Sequence, residues 1–221
     1  MVLKLYGNPI SIATKRVAVV LHEKKIPSKS PKFWSSNLSD KFPTFYLSST
    51  EHKRKPGELY DDDGFILYES RAIARYLEAK YPNQGPKLAP SPSDVKATAL
   101  FEQAASVELS DFDPFASKAA YEAIINPVLF GMKKDQAAYD QAIATLSTKL
   151  DVYERILSKQ KFLAGDEITL ADLFHLSYGE LLAAGGSDLL SSKGPNVARW
   201  WKDVSSRASW QAVKDSIPTS L

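Results

Sequence analysis

Residues 65–77 read FILYESRAIARYL. The stretch opens as a strand, with Phe65, Ile66, Leu67 and Tyr68 in succession, and closes with Ala72, Ile73, Tyr76 and Leu77 at helical spacing. Just upstream, Asp63-Gly64 in DDDG is a strong hairpin turn, so 57–60 and 65–68 read as two antiparallel strands. The joint between the second strand and the helix holds Glu69 and Ser70, a carboxylate beside a hydroxyl. A helix N-terminus offers unpaired backbone N–H groups and the positive end of the dipole. Ser70 adds a hydroxyl there, which makes a place for a carboxylate, and Glu69 supplies a charge for an ammonium. A ligand with both groups on one carbon, an amino-acid head, fits this corner. The bland alternative is that Ser70 caps the helix and Glu69 only favours its dipole.

Working back from the corner, LKLYGNP alternates Leu3 and Leu5 with Lys4 and Tyr6, as a short strand does, and breaks at Gly7, Asn8 and Pro9. From Ser11 a helix follows, with Ala13, Val17, Val20 and Leu21 on its apolar face and Lys15, Arg16, Glu23 and Lys24 elsewhere. Working forward, YPNQGPKLAPSPSD packs Pro82, Pro86, Pro90 and Pro92 into a stiff connector, the best domain boundary in the chain. Beyond it the pattern is helical. Ile143, Leu146, Leu150, Tyr153 and Leu157 recur at helical spacing, and Pro195 stands where a first-turn proline belongs, ahead of Val197, Trp200, Trp201 and Val204. The fold expected from these signals is an α/β unit of β-α…β-β-α order over about eighty residues followed by an all-α one of about 130, with no strand after residue 92.

Composition removes several function classes. The 221 residues are 44% apolar and 24% charged, with a net charge of +2 and both signs interspersed. A binder of nucleic acid needs a clustered basic field, which is lacking. No apolar run is long enough to span a bilayer, and the N-terminal apolar stretch is short for a signal peptide. There are no cysteines, hence no disulfide, thiolate nucleophile or thiolate metal site, and His22, His52 and His175 lack ligand spacing. The expectation is a cytoplasmic protein with no metal and no membrane or nucleic-acid partner.

One signal in the helical half is sharp. In GDEITLADLFHL, Thr169 stands at an N-cap and Asp172 three residues on, an acidic capping box, with Ile168 and Leu173 placed as a hydrophobic staple. In order, then, the chain offers a strand, GNPIS and a helix; a hairpin ending in ES and a helix; a proline-rich linker; and a helical half carrying FLAGDEITLADL. This order resembles the cytosolic glutathione transferases, and NPISIATKRV and FDPFASKAAYEAI most resemble the phi class and its fungal relatives.

The resemblance implies a thioredoxin-like glutathione-binding domain at 1–81, with a mixed four-stranded sheet and helices on both its faces, a linker at 82–92, an all-helical domain at 93–221 and a homodimer. Glutathione enters as co-substrate, with no further cofactor. Ser11 matches the serine whose hydroxyl hydrogen-bonds the glutathione sulfur, and Tyr6 is a rival donor, since some classes use an early tyrosine. Glu69 and Ser70 would hold the γ-glutamyl head, and His52 and Lys53 in EHKRKP the glycine carboxylate. Ile12, Phe112, Phe115 and Ala119 would line the pocket for an apolar electrophile, core packing being the bland reading of each. The implied reaction is attack of the glutathione thiolate on an electrophilic carbon or a peroxide oxygen. The competing class is a non-catalytic module of the same fold that binds ligands or partners.

Residues 28–56 match the family poorly. The family continues after its first helix with an alternating strand, and later with a Val-Pro pair whose proline is cis. Here no alternation follows Pro27, only GELY separates EHKRKP from DDDG, and Pro56 is the nearest proline to the missing pair. With Ser28, Lys29 and Ser30 offering little to a core, the expectation is an irregular path anchored by Phe33, Trp34, Phe42 and Phe45.

Overall fold

The computed structural model describes residues 3–8, 10–29, 58–61 and 63–217. The chain divides into two compact units, one of Met1–Pro86 with Ala212–Leu221 and one of Lys87–Gln211. The break lies inside the proline-rich stretch. The helical unit ends earlier than the expected 93–221, because the residues from Ala212 group with the first unit. There Val213 is fully buried and Lys15 Nζ donates to the Lys214 carbonyl.

The first unit is a sheet of four short strands, β1 (Leu3–Tyr6), β2 (Ser28–Lys29), β3 (Glu58–Tyr60) and β4 (Ile66–Leu67), in the order β2-β1-β3-β4. β1 runs parallel to β2, with Leu3 opposite Ser28, and antiparallel to β3, with Leu5 opposite Leu59. β3 and β4 form the expected antiparallel hairpin. Its turn is closed by bonds from the Asp61 N–H to the Phe65 carbonyl (2.9 Å) and from the Gly64 N–H to the Asp61 carbonyl (3.2 Å). Gly64 has φ +89°, a conformation that suits a residue without Cβ.

Strand β2 corrects the expectation that residue 28 begins an irregular path. Ser28 and Lys29 pair in register with Leu3 and Lys4 despite their polarity. The ladder bonds are made by backbone groups, so a two-residue strand needs no apolar side chains to form. The rest of the expected path, with Phe33, Trp34, Phe42 and Phe45, lies outside the described residues. So does any helix on the far face of the sheet, since the two described helices of this unit, α1 (Ile12–Glu23) and α2 (Ser70–Lys80), pack on each other.

Those helices bury more than their periodicity announces. On α2 the buried face is Ser70, Ile73, Ala74, Leu77 and Glu78, while the expected Ala72 is exposed. Helix α1 is buried from Arg16 through Leu21, and Glu23 and the capping Lys24 are buried too. A charge taken from water needs a partner. Lys24 Nζ finds Glu78 Oε2 at 2.8 Å and the Pro86 carbonyl at 3.0 Å; Arg16 Nη1 finds Ser70 Oγ at 3.0 Å. Asp61, at the end of β3, is buried and takes both the Tyr76 hydroxyl and the Lys80 ammonium of α2. That contact raises the Lys80 pKa, and burial followed by the bond to Asp61 raises that of Tyr76.

In the second unit no strand occurs among the described residues. A bent helical run covers 95–130: α3 (Val95–Val107), a π-helical turn (Glu108–Phe112), α4 (Asp113–Ala120), a second π-helical turn (Tyr121–Ile125) and α5 (Asn126–Phe130). Each π turn is followed within two residues by a proline, Pro114 or Pro127. A proline has no N–H for the i−4 carbonyl, and the ladder accommodates it by shifting to i−5, as in the bond from the Asp113 N–H to the Glu108 carbonyl. Helix α6 (Gln136–Leu157) lies against α4 and buries Ala142, Leu146, Leu150, Tyr153 and Leu157, with Ile143 only half-buried. Four further short helices, α7 (Leu170–Leu173), α8 (Leu176–Ala184), α9 (Leu189–Ser192) and α11 (Ala208–Gln211), accompany the longer α10 (Pro195–Ser205).

The Thr169–Asp172 capping box starts α7 as its spacing predicts. Asp172 does more than cap. Its wholly buried carboxylate accepts from the Thr169 N–H (2.9 Å) and hydroxyl (3.1 Å), the Leu163 N–H (3.0 Å) and the Trp200 indole (2.9 Å). Burial still pushes its pKa up, against those donors. Next to it, buried His175 donates from Nδ1 to the Ala171 carbonyl (2.8 Å) and meets the Tyr153 hydroxyl at Nε2 (3.0 Å). This is the packed histidine of a core, with Phe112 and Trp200 against its ring.

Helix α10 begins at Pro195, as expected, and its head is closed from a distance. Glu154 of α6 accepts from the N–H groups of Val197 (2.8 Å) and Asn196 (3.1 Å) and from the Asn196 amide (2.6 Å). Gly194 permits the approach, since a Cβ there would stand 2.6 Å from the Glu154 carboxyl carbon. Burial alone would raise the Glu154 pKa, but these donors outweigh it and hold the group below its ordinary 4.5.

Thr169→Ala should cost about 0.5–2 kcal/mol, the usual loss of a cap. Asp172→Ala should cost several-fold more in denaturant unfolding, because it also strands the Leu163 N–H and the Trp200 indole in the core. A carboxylate whose folded pKa lies below its unfolded value stabilises above that unfolded value, and the contribution is lost as pH falls through the folded one. Glu154→Gln should therefore flatten part of the fall in stability below pH 4.5, measured by urea unfolding over a pH series.

Candidate functional site

The loop after β1 is shaped by its own backbone. Asn8 Oδ1 accepts from the Ile10 N–H (3.0 Å) and the Asn8 carbonyl from the Ser11 N–H (2.9 Å), a tight turn that delivers Ser11 to the N-cap of α1. Ser11 Oγ accepts from the Thr14 N–H at 3.5 Å, the outer limit of a hydrogen bond. The hydroxyl is half-buried, and its proton is given to no described group. Ser11 is thus the N-cap of α1, the bland reading of this residue. The rival Tyr6 is buried in β1, edge-on to Tyr60 at 4.9 Å between ring centroids. Ile12, the first residue of α1, is half-buried.

At the second corner the capping half of the bland reading fails. Ser70 does not cap α2; it is the first helical residue, and Glu69 occupies the N-cap position. Glu69 makes no side-chain cap bond either, and its carboxylate is exposed. Its backbone sits at φ +70°, ψ +105°, a conformation that costs a residue with a Cβ about 1–3 kcal/mol. Strain of this kind persists where surrounding structure enforces it, and here it aims a carboxylate outward beside a helix head. Ser70 is buried at 7% exposure, and its Oγ accepts from Arg16 Nη1. The sequence offered no sign of that bond, since periodicity places Arg16 off the apolar face of α1.

The other expected residues divide. His52, Lys53 and Pro56 lie outside the described residues. Phe112 and Ala119 are wholly buried within the helical unit, Phe112 with its ring 4.4 Å from that of His175. For these two the structure gives core packing in place of a pocket wall, because Phe112 closes a π turn directly over His175. Phe115, one turn on, is half-buried. Among the described residues no group of three His, Asp or Glu side chains could hold a metal ion, and no helix is long and apolar enough to cross a membrane.

The strain at Glu69 has a consequence that needs no ligand. Glu69→Gly should raise stability by about 1 kcal/mol, since glycine takes a positive φ without Cβ strain. Glu69→Ala should give no such gain. Thermal unfolding of the two variants beside the parent separates backbone strain from the loss of the carboxylate.

Known proteins carry the same architecture. The profile described as "Glutathione S-transferase, N-terminal domain" matches residues 5–86, and that described as "Glutathione S-transferase, C-terminal domain" matches residues 112–208. The first match runs through residues 28–56, the part that reads least like the family. Glutathione S-transferase PM239X14 of Arabidopsis thaliana is 48% identical over 198 residues, covering 90% of this chain and 89% of its own length. Glutathione S-transferase hmp2 of Hypomyces subiculosus is 40% identical, covering 95% and 96%. Among solved structures, glutathione transferase F7 from Populus trichocarpa superposes with a TM-score of 0.84 at 33% identity, covering 98% of this chain and 100% of that one. By sequence over nearly its full length, and by a mixed four-stranded thioredoxin-like sheet followed by a helical unit, the chain belongs to the glutathione S-transferase family.

Proposed function

We propose that this transferase joins the glutathione thiolate to electrophilic, mostly apolar small molecules. In such a step the sulfur forms a bond to an electron-poor carbon and the leaving group departs with its electron pair. Attack on a peroxide oxygen is the related step, in which an alkoxide leaves. The observation that carries the reading is the corner of Glu69 and Ser70. A strained backbone holds a carboxylate outward at the head of α2, beside a hydroxyl fixed from behind, and those are the partners an amino-acid head requires.

In this reading Ser70 takes the α-carboxylate of the γ-glutamyl group and Glu69 its ammonium. Ser11 donates its hydroxyl proton to the sulfur. A free thiol has a pKa of about 8.5, and a hydroxyl donor at a helix N-terminus favours the anion. A fall of about 2 units corresponds to about 2.7 kcal/mol, within reach of one charge-assisted hydrogen bond plus the helix end. His52, Lys53 and Pro56 are proposed for the rest of the tripeptide on the family pattern. Ile12 and Phe115 are the proposed acceptor contacts, being the members of the expected set that are not sealed in a core. Assembly as a homodimer in the cytoplasm belongs to the same proposal. The maize enzyme solved with an atrazine–glutathione conjugate, 28% identical to this chain, is a relative whose ligand is of the proposed product class.

Calorimetric titration with glutathione, beside conjugation of an electron-poor aryl halide, tests the reading; saturable binding and turnover are the expected results. Ser11→Ala should lower turnover about ten- to hundredfold, the kinetic equivalent of 1.4–2.7 kcal/mol, with little change in glutathione affinity. The rate of the variant should climb toward alkaline pH, where thiolate forms unaided. Full activity of Ser11→Ala at neutral pH would remove Ser11 from the chemistry.

A further inference from the structure

The Arg16–Ser70 bond has no place in the proposed chemistry so far. Arg16 lies on α1, five residues beyond Ser11, and is only 4% exposed. Its Nη1 reaches Ser70 Oγ at 3.0 Å across the interface of α1 and α2. A guanidinium can only donate and stays protonated in proteins. A serine hydroxyl has one proton and two lone pairs. With one lone pair turned to Arg16, the proton of Ser70 must point elsewhere, so the hydroxyl is held in the orientation of a donor.

That orientation matters for one kind of ligand group. A carboxylate only accepts, so it is served by a hydroxyl whose proton faces it and repelled by one whose lone pairs do. A cation behind the oxygen also polarises the O–H bond, and charge-assisted hydrogen bonds are about twice as strong as neutral ones. A carboxylate on Ser70 would in turn bring negative charge to one hydroxyl's distance from a buried cation, where screening by water is weak.

We infer that Arg16 is a positioning residue for the γ-glutamyl carboxylate: it fixes and polarises the Ser70 hydroxyl as a donor, and so sets how strongly the enzyme demands that carboxylate of its thiol substrate. The inference rests on the proposed glutathione site. It predicts an effect confined to one end of the tripeptide and absent from the chemical step.

The test compares glutathione with γ-aminobutyryl-cysteinyl-glycine, which lacks only the glutamyl α-carboxylate and keeps the ammonium, and with glutaryl-cysteinyl-glycine, which lacks the ammonium alone. Each serves as thiol substrate with a saturating aryl halide. The parent should show a KM for the carboxylate-deleted thiol at least about tenfold above that for the ammonium-deleted one, as expected for a charge-assisted bond. In Arg16→Met that ratio should shrink about three- to tenfold, through a rise in KM for the carboxylate-bearing thiols, with kcat within about twofold of the parent. Arg16→Lys should retain part of the ratio, and in a Ser70→Ala background Arg16→Met should change it no further. An equal rise in KM for all three thiols, or a fall in kcat alone, overturns the inference in favour of a structural role. If Arg16→Met does not fold, an unchanged ratio in Arg16→Lys overturns it. A parent with no preference for the carboxylate sinks the Ser70 assignment itself. A parent that prefers it, and an Arg16→Met that prefers it equally, sinks the role of Arg16 alone.

Discussion

Helix α1 can be buried on nearly every side because its charges are met by α2 and the segment after it. Arg16 donates to Ser70, and Lys24 is held between Glu78 and the Pro86 carbonyl. These contacts pin both ends of α2, its first residue and its last turn, to one partner helix. The start of α2 is therefore not free to slide or unwind, and the residue ahead of it must turn sharply to reach β4. Glu69 absorbs that turn with its positive φ. Breaking such a buried pair by removing one partner is strongly destabilising, whereas replacing both by apolar groups often is not. The polar seam is thus better understood as fixing the register of α2 than as adding stability, and the register sets the geometry of the corner.

The helical unit solves a similar problem with the opposite charge. Asp172 gathers four donors from three separate places in the chain, Thr169, Leu163 and Trp200, around one buried carboxylate. A turn, a short helix and the middle of α10 are tied to one another without a continuous secondary element between them. His175 continues the network toward Tyr153 of α6 and the Phe112 ring. The two prolines that force π turns into the 95–130 run would otherwise leave its path loosely determined. Phe112, at the end of the first such turn, is placed by the histidine it covers.

The sequence made the order of elements legible, because that order rests on local signals: alternation in LKLY, the Asp63-Gly64 turn, the prolines of 82–92, and Thr169 three residues ahead of Asp172. It made faces less legible. Periodicity put Arg16, Glu23 and Lys24 on a solvated side of α1, whereas each is buried, since a charge with a partner can occupy a core position that a hydropathy pattern denies it. Ser28 and Lys29 read as too polar for a strand and form one, because strand pairing is a contract between backbones. Phe112 and Ala119 were assigned to a pocket by family likeness, yet helical spacing alone cannot say whether an apolar residue faces a cleft or a core. The π turns were signalled only by the Asp-Pro and Asn-Pro dipeptides. At the Glu69–Ser70 corner the sequence named the residues but left a helix cap and a ligand contact both open, since a serine at a helix start is common for either reason, and only the structure shows that neither side chain caps α2.

The same chain shows twice what a helix head does with a carboxylate. At α10 the N-cap residue is Gly194, which has no side chain to offer, and Glu154 arrives from α6 to take two backbone N–H groups. At α2 the N-cap residue is Glu69, which offers no cap bond, and its side chain is turned out to solvent. The first head is completed from within the protein, and the bond network there lowers the pKa of Glu154. At the second the chain has supplied a guanidinium behind a hydroxyl and a strained backbone ahead of it, both of which have an energetic cost and neither of which caps the helix. An arrangement of that kind is stable only if the rest of the unit enforces it, which the seam between α1 and α2 does. In the proposed site the α-carboxylate of glutathione takes at α2 the place that Glu154 takes at α10.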